Sequence, residues 1–118
     1  MRIVSEQEFS DAVHARLDLG MPAVNCVMGP GRSGAVAAVY VSHVLGIPFI
    51  PYGAPCPAGR LLIVDTATES GKTLRKAARR YAAANPVSLA FFHEPPRVAF
   101  WYEAPKPQRY RHERRAAA

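Results

Sequence analysis

The stretch Asp65 to Thr73, DTATESGKT, sets an acid ahead of a run of hydroxyl and glycine residues and a lysine. That combination suits a phosphorylated ligand. A carboxylate accepts hydrogen bonds from sugar hydroxyls, while backbone N–H groups and the Ser70 and Thr73 hydroxyls can wrap a terminal phosphate at a helix start. Each helix-terminus charge interaction contributes only about 0.3 to 1 kcal/mol in the open, so several donors must converge. Lys72 could pair with that phosphate or point to solvent. A second stretch, Gly29-Pro30-Gly31-Arg32-Ser33-Gly34, has small residues that let its backbone approach an anion closely, and Arg32 adds a cation capable of bidentate contact. An ordinary tight turn between a strand and a helix has the same composition. Gly71-Lys72-Thr73 matches the end of a nucleoside-triphosphate P-loop, but that motif needs a glycine where Thr66 stands. An acid at the strand's end would also repel phosphates unless it served a sugar or a metal, so the P-loop is rejected.

Both stretches need strands ahead of them and helices behind. Ala23 to Met28 is a short apolar run leading into the first, and Ser33 to Leu45 reads as the helix after it, stopped by Gly46 and Pro48. Arg60 to Asp65, RLLIVD, is the best strand pattern in the chain, and Leu74 to Ala84 reads as a helix with Lys72, Arg75, Lys76, Arg79 and Arg80 largely on a polar face. Ser5 with Glu8 forms a capping box for a first helix from Glu6 to Leu17, on which Phe9, Val13 and Leu17 recur at helical spacing. Pro48 to Tyr52, Val87 to His93 and Val98 to Tyr102 read as further strands. The alternation predicts an α/β domain with a mostly parallel sheet of about five strands flanked by about three helices. In such a sheet the ligand sits beyond the carboxyl ends of the strands, where both stretches would lie.

The 118 residues fit one domain, and 49% hydrophobic with 20% charged residues is ordinary for a globular protein with its own core. The expected division is a domain over residues 1–103 and a basic, irregular tail over 104–118. Residues 1–58 hold 3 Lys/Arg against 4 Asp/Glu, whereas 59–118 hold 12 against 5, so the excess positive charge lies wholly in the second half. That bias favours anionic partners, either phosphorylated small molecules or nucleic acid. Cys26 and Cys56 make no disulfide framework, the N-terminus lacks a signal-peptide pattern, and the most apolar stretch is broken by Gly46, Pro48 and Pro51. The expectation is a soluble, cytoplasmic protein with no membrane partner. His14, His43 and His93 are isolated, with no zinc-like spacing.

LLIVDTATESGKTL, Leu61 to Leu74, resembles the phosphoribosyl-diphosphate motif of the type I phosphoribosyltransferases, and VMGPGRSGAVAAVYVSHVLGIPFI resembles that family's pyrophosphate loop, helix and following strand. With the leading helix, the resemblance spans roughly Ser5 to Glu103. It implies a phosphoribosyltransferase-like, Rossmann-like fold and transfer of a phosphoribosyl group from phosphoribosyl diphosphate to a nucleobase, with magnesium and release of pyrophosphate. Phosphoribosyl diphosphate or a nucleoside monophosphate would be the ligand. By position, Asp65 would bind ribose hydroxyls and reach the magnesium ion indirectly, and Glu69, beside the reacting centre, would share the catalytic role with it. Ser70, Gly71, Lys72 and Thr73 would line the 5′-phosphate loop, and Pro30, Gly31, Arg32 and Ser33 would face pyrophosphate. Val98 to Glu103 is similar to the aromatic segment that purine-using members place in a hood, so Trp101 or Phe100 could stack on a base. Alternate aromatics on a last strand equally suit a core.

Three departures from the family pattern carry consequences. Thr66 replaces the usual second acid, Glu69 is one methylene longer than the common Asp, and Gly53 to Gly59 is too short for the lid that family enzymes close over the reacting centre. Without a lid an oxocarbenium-like centre is open to hydrolysis. A homodimer whose partner supplies the cover would restore it. The competing reading is a non-catalytic ligand sensor or nucleic-acid-binding regulator that uses the basic second half. The tail segment RYRHERR is basic enough to touch nucleic-acid phosphates, though a solvated charge run is the plainer reading.

Overall fold

The structure, a computed structural model, describes residues 2–57, 59–94 and 97–103; the expected tail over 104–118 lies outside them. In chain order the elements are β1 (Arg2–Val4), α1 (Glu6–Asp18), β2 (Cys26–Met28), α2 (Gly31–Leu45), β3 (Leu61–Thr68), α3 (Lys72–Arg80), a 3-10 turn (Ala82–Ala84), β4 (Val87–His93) and β5 (Val98–Phe100). The five strands are all parallel and form two sheets: a central one in the order β2-β3-β4, and a pair, β1 with β5. The sequence pattern had suggested one sheet.

Strand alternation divides the core. Leu62 and Val64 of β3, with Val27 and Leu89, pack with Phe9 and Val13 of α1 and Ala37, Ala38 and Val41 of α2. Leu61 and Ile63, with Cys26 and Met28, pack instead with Leu74, Ala77 and Tyr81 from the α3 side. A run buried on both faces must read as continuously apolar, as LLIV does. Ser5 Oγ accepts the Glu8 N–H at 3.1 Å, which starts α1 where the capping box places it.

The structure differs from the sequence reading at five places. Pro48 to Tyr52 makes only a single bridge, Val27 to Phe49, because Pro48 and Pro51 have no N–H to extend a ladder. β3 runs three residues past Asp65, where β-branched Thr66 and Thr68 continue the pairing until Thr68 meets His93 of β4. α3 starts at Lys72 and ends at Arg80, where the chain tightens into the 3-10 turn and reaches Asn85 at a positive φ of 49°. β1 has no counterpart in the sequence reading; three residues carry too little pattern without their partner, β5. Trp101 to Glu103 form a turn after β5 rather than extending it. Among the described residues no helix is long and apolar enough to cross a membrane.

Both cysteines are free thiols, yet the first residue of β2 brings Cys26 Sγ to 3.6 Å from Cys56 Sγ. Burial, reinforced by the Cys56 thiol, pushes the Cys26 pKa up to about 11. Because the thiolate is the nucleophile, Cys26 is expected to escape iodoacetamide at pH 8 in the native protein and to react only after unfolding. Peptide mass spectrometry reads this directly, and rapid native labelling of Cys26 would contradict its burial.

Candidate functional site

Parallel pairing sends the carboxyl ends of β2 and β3 to the same edge, where α2 and α3 begin. A cavity of about 320 Å³ opens there. Ser33 from the start of α2, Asp65 and Thr66 from β3, and Thr73 from the start of α3 line one part of it. Glu94, Arg97, Phe100 and Glu103, from the segment around β5, line the other. The sheet therefore gathers residues from both sequence stretches at one site, facing two helix N-termini whose leading N–H groups have no partner within the helix.

The turn from β2 into α2 is unusually tight. A Cβ on Gly29 would overlap the backbone carbonyl of Gly34, and one on Gly34 would lie 2.6 Å from the carbonyl carbon of Gly29. Only glycine at both positions lets the first turn of α2 sit on the end of β2. Gly31 has a φ of +69° with open space around it, and Gly71, at +77°, starts α3.

Asp65 is largely buried, three residues before the end of β3. Its Oδ1 accepts the Thr66 N–H at 2.8 Å. Burial nevertheless dominates: it raises the Asp65 pKa to about 6, the Thr66 hydrogen bonds lower it, and the Glu94 charge adds to the rise. Glu94 accepts from Arg97 Nη1, 3.2 Å from each carboxylate oxygen, and from the Val98 N–H at 3.2 Å. Glu103, only 6% exposed, accepts the Phe100 N–H at 3.1 Å. Three carboxylates and one arginine thus border the cavity.

The other expected site residues are placed as follows. Glu69, Ser70 and Lys72 are exposed in the β3–α3 connection and at the start of α3, outside the cavity lining. That connection is ordered by its own contacts: Ser70 Oγ accepts the Lys72 N–H at 3.3 Å, and Arg75 Nη1 donates to the Ser70 carbonyl at 2.7 Å. Pro30 is buried, and Gly31 and Arg32 are exposed at the start of α2; Arg32 lines a separate apolar groove with Val36, Val39 and Tyr40. Phe100 reaches the cavity but is 3% exposed and packs edge-on against Phe9 and Phe92. Trp101 packs against Phe9, Tyr40 and Tyr102, and is not among the lining residues. Glu94, Arg97, Tyr102 and Glu103 escape the sequence reading as polar site residues. Their segment lies about thirty residues after Asp65 and is punctuated by Pro95 and Pro96, so no local spacing ties it to the strand end.

The short connection before β3 does not cover the cavity. The Gly53 N–H donates to Tyr81 Oη and the Tyr81 hydroxyl donates to the Ala54 carbonyl, each at 2.8 Å, while Cys56 sits beside Cys26. Tyr81 follows the last turn of α3 and Cys26 begins β2, so these anchors lie at the edge of the sheet away from Asp65.

This is the fold of the type I phosphoribosyltransferases. The xanthine-guanine-hypoxanthine phosphoribosyltransferase of Helicobacter pylori superposes with a TM-score of 0.70 over 88% of this chain and 93% of its own, at 13% identity. The purine phosphoribosyltransferase of Pyrococcus horikoshii superposes with a TM-score of 0.62 over 93% of this chain and 97% of its own, at 19% identity. The orotate phosphoribosyltransferase of Aeropyrum pernix gives a TM-score of 0.56 over 72% of this chain and 58% of its own, at 20% identity. No protein-family model and no curated protein sequence matches the chain.

Proposed function

We propose that the chain is a compact phosphoribosyltransferase-type domain that binds phosphoribosyl diphosphate or a nucleoside monophosphate and transfers the phosphoribosyl group to a nucleobase, releasing pyrophosphate. One observation carries this reading: Asp65, in the carboxyl-terminal half of the central strand, shares a cavity with Ser33 and Thr73, one from the first turn of each flanking helix. Asp65 accepts hydrogen bonds from the ribose hydroxyls. Thr73 and the N-terminal amides of α3 hold the 5′-phosphate, and Ser33 with the amides of α2 holds the pyrophosphate. The charge that develops on the ribosyl carbon is positive, and Asp65, Glu94 and Glu103 supply a negative field around it. Among the described residues no cluster of three or more acidic, histidine or cysteine side chains forms a metal cage. That donor set fits magnesium held mainly by substrate oxygens, with Asp65 acting through water, since this ion binds through one or two carboxylates plus phosphates. When bound, the ion would neutralise charge on the leaving pyrophosphate.

Calorimetric titration with phosphoribosyl diphosphate and magnesium tests the reading. Thr73→Ala is expected to weaken binding about tenfold or more, as loss of a hydrogen bond to a charged group does, with little change in Tm because Thr73 is exposed. Absence of binding by the wild type would end the proposal. A second reading, a ligand sensor without turnover, is favoured by the connection before β3, whose Gly53, Ala54 and Cys56 are fastened away from the cavity. Pyrophosphate release with a panel of purines, pyrimidines and orotate separates the two: binding without release supports the sensor.

A further inference from the structure

The turn after β5 reaches back over the strand ends. The Tyr102 hydroxyl donates to Ser33 Oγ at 2.7 Å. This contact ties the turn after β5 to the first turn of α2, beside the cavity that Ser33, Asp65 and Thr66 line. The tyrosine is not loosely held. Its ring stacks on Phe100 at 5.9 Å with 10° between the planes, and the edge of Trp101 packs against it at 5.1 Å.

We propose that Tyr102 is the positioning residue of the pyrophosphate-binding turn. This rests on the phosphoribosyl reading given above. A serine hydroxyl has one proton and two lone pairs, and the proton rotates to whatever acceptor is nearest. By donating into Ser33 Oγ, Tyr102 fills a lone pair and leaves the Ser33 proton free to donate toward an oxygen of the bound anion. The same contact fastens the segment after β5, whose sheet is separate from the central one, onto the first turn of α2. Thr66 lies in the wall of the same cavity as Ser33. It is 2% exposed and, by strand alternation, faces the side that carries Phe100. An acid at position 66 would place a second charge beside Asp65 in a closed space, at a desolvation cost that a neutral hydroxyl avoids. The residue at the family's second-acid position is here an uncharged part of the cavity wall.

A double-mutant cycle over wild type, Tyr102→Phe, Ser33→Ala and the double variant tests this, with two readouts: thermal unfolding without ligand, and titration with inorganic pyrophosphate and magnesium. Tyr102→Phe is expected to lower Tm by a few degrees and to weaken pyrophosphate binding about 3- to 10-fold, the range for one net hydrogen bond. In the Ser33→Ala background the same change should cost less than about twofold in affinity, because the group through which Tyr102 acts is already gone. Equal losses in both backgrounds, or full affinity in Tyr102→Phe, would overturn the assignment. A wild type with no affinity for pyrophosphate would instead overturn the phosphoribosyl reading, and the Tm cycle would still report whether Tyr102 and Ser33 are coupled.

Discussion

Replacing Gly29 by alanine is expected to lower Tm by more than about 12 °C or to abolish folding, whereas Gly31→Ala should lower it by only about 5 °C. The two glycines lie two residues apart in the same turn, but their surroundings are opposite. A Cβ at Gly29 would overlap the Gly34 carbonyl, a backbone group in the first turn of α2 that cannot rotate aside. Relief requires α2 to lift from the end of β2, and with it Ala37, Ala38 and Val41, all fully buried against the sheet. Overpacking of this kind costs about 3 kcal/mol or more when no flexible side chain can yield. At Gly31 nothing lies within 4 Å of the added methyl group, so the penalty is the backbone strain of a positive φ, about 1 kcal/mol. For a domain of this size each kcal/mol moves Tm by about 4–8 °C. Thermal unfolding of the two variants decides the matter, and a Gly29→Ala protein as stable as Gly31→Ala would mean that the β2–α2 turn does not have this conformation. Ligand binding should fail in parallel, because the closeness of that turn brings Ser33 to the cavity.

Asp65→Asn is expected to stabilise the protein at pH 8 by roughly 2–3 kcal/mol and to cost most of its affinity for phosphoribosyl diphosphate. Burial raises the Asp65 pKa from 3.8 to about 6. Between those values the folded protein keeps a proton that the unfolded chain releases. The group's contribution to stability therefore falls as pH rises through about 4 to 6, leaving a constant penalty at higher pH; each pKa unit is worth 1.36 kcal/mol. A neutral amide does not titrate, so the stability difference between Asn and Asp should vanish near pH 4 and reach its full size above pH 7. Binding runs the other way. The ionised carboxylate is the better acceptor for ribose hydroxyls, so wild-type affinity should rise with pH through about 6 and the Asn variant should lose that rise. Urea unfolding and calorimetry across pH 4 to 8 measure both trends. A variant no more stable than wild type at pH 8 would show that Asp65 is not strained by its burial.

These two results bear on how the site is written into the chain. The strand LLIVD and the glycine turn were legible because their signals are local: a doubly buried parallel strand must be continuously apolar, and a helix pressed onto a strand end needs residues without a Cβ. The ends of β3 and α3 were less so, since Thr66 to Thr68 suit a loop in isolation and become strand only where β4 offers hydrogen-bond partners.

The sequence by itself determined that a buried strand carries an acid and that a glycine- and hydroxyl-rich turn follows, because burial pattern and turn chemistry act between near neighbours. It did not determine what meets that acid. Glu94, Arg97 and Glu103 come to the cavity through parallel pairing of β3 with β4 and of β1 with β5, contacts between segments far apart in the chain. The burial that lifts the Asp65 pKa and the contact between Tyr102 and Ser33 exist only once those segments have come together at the cavity.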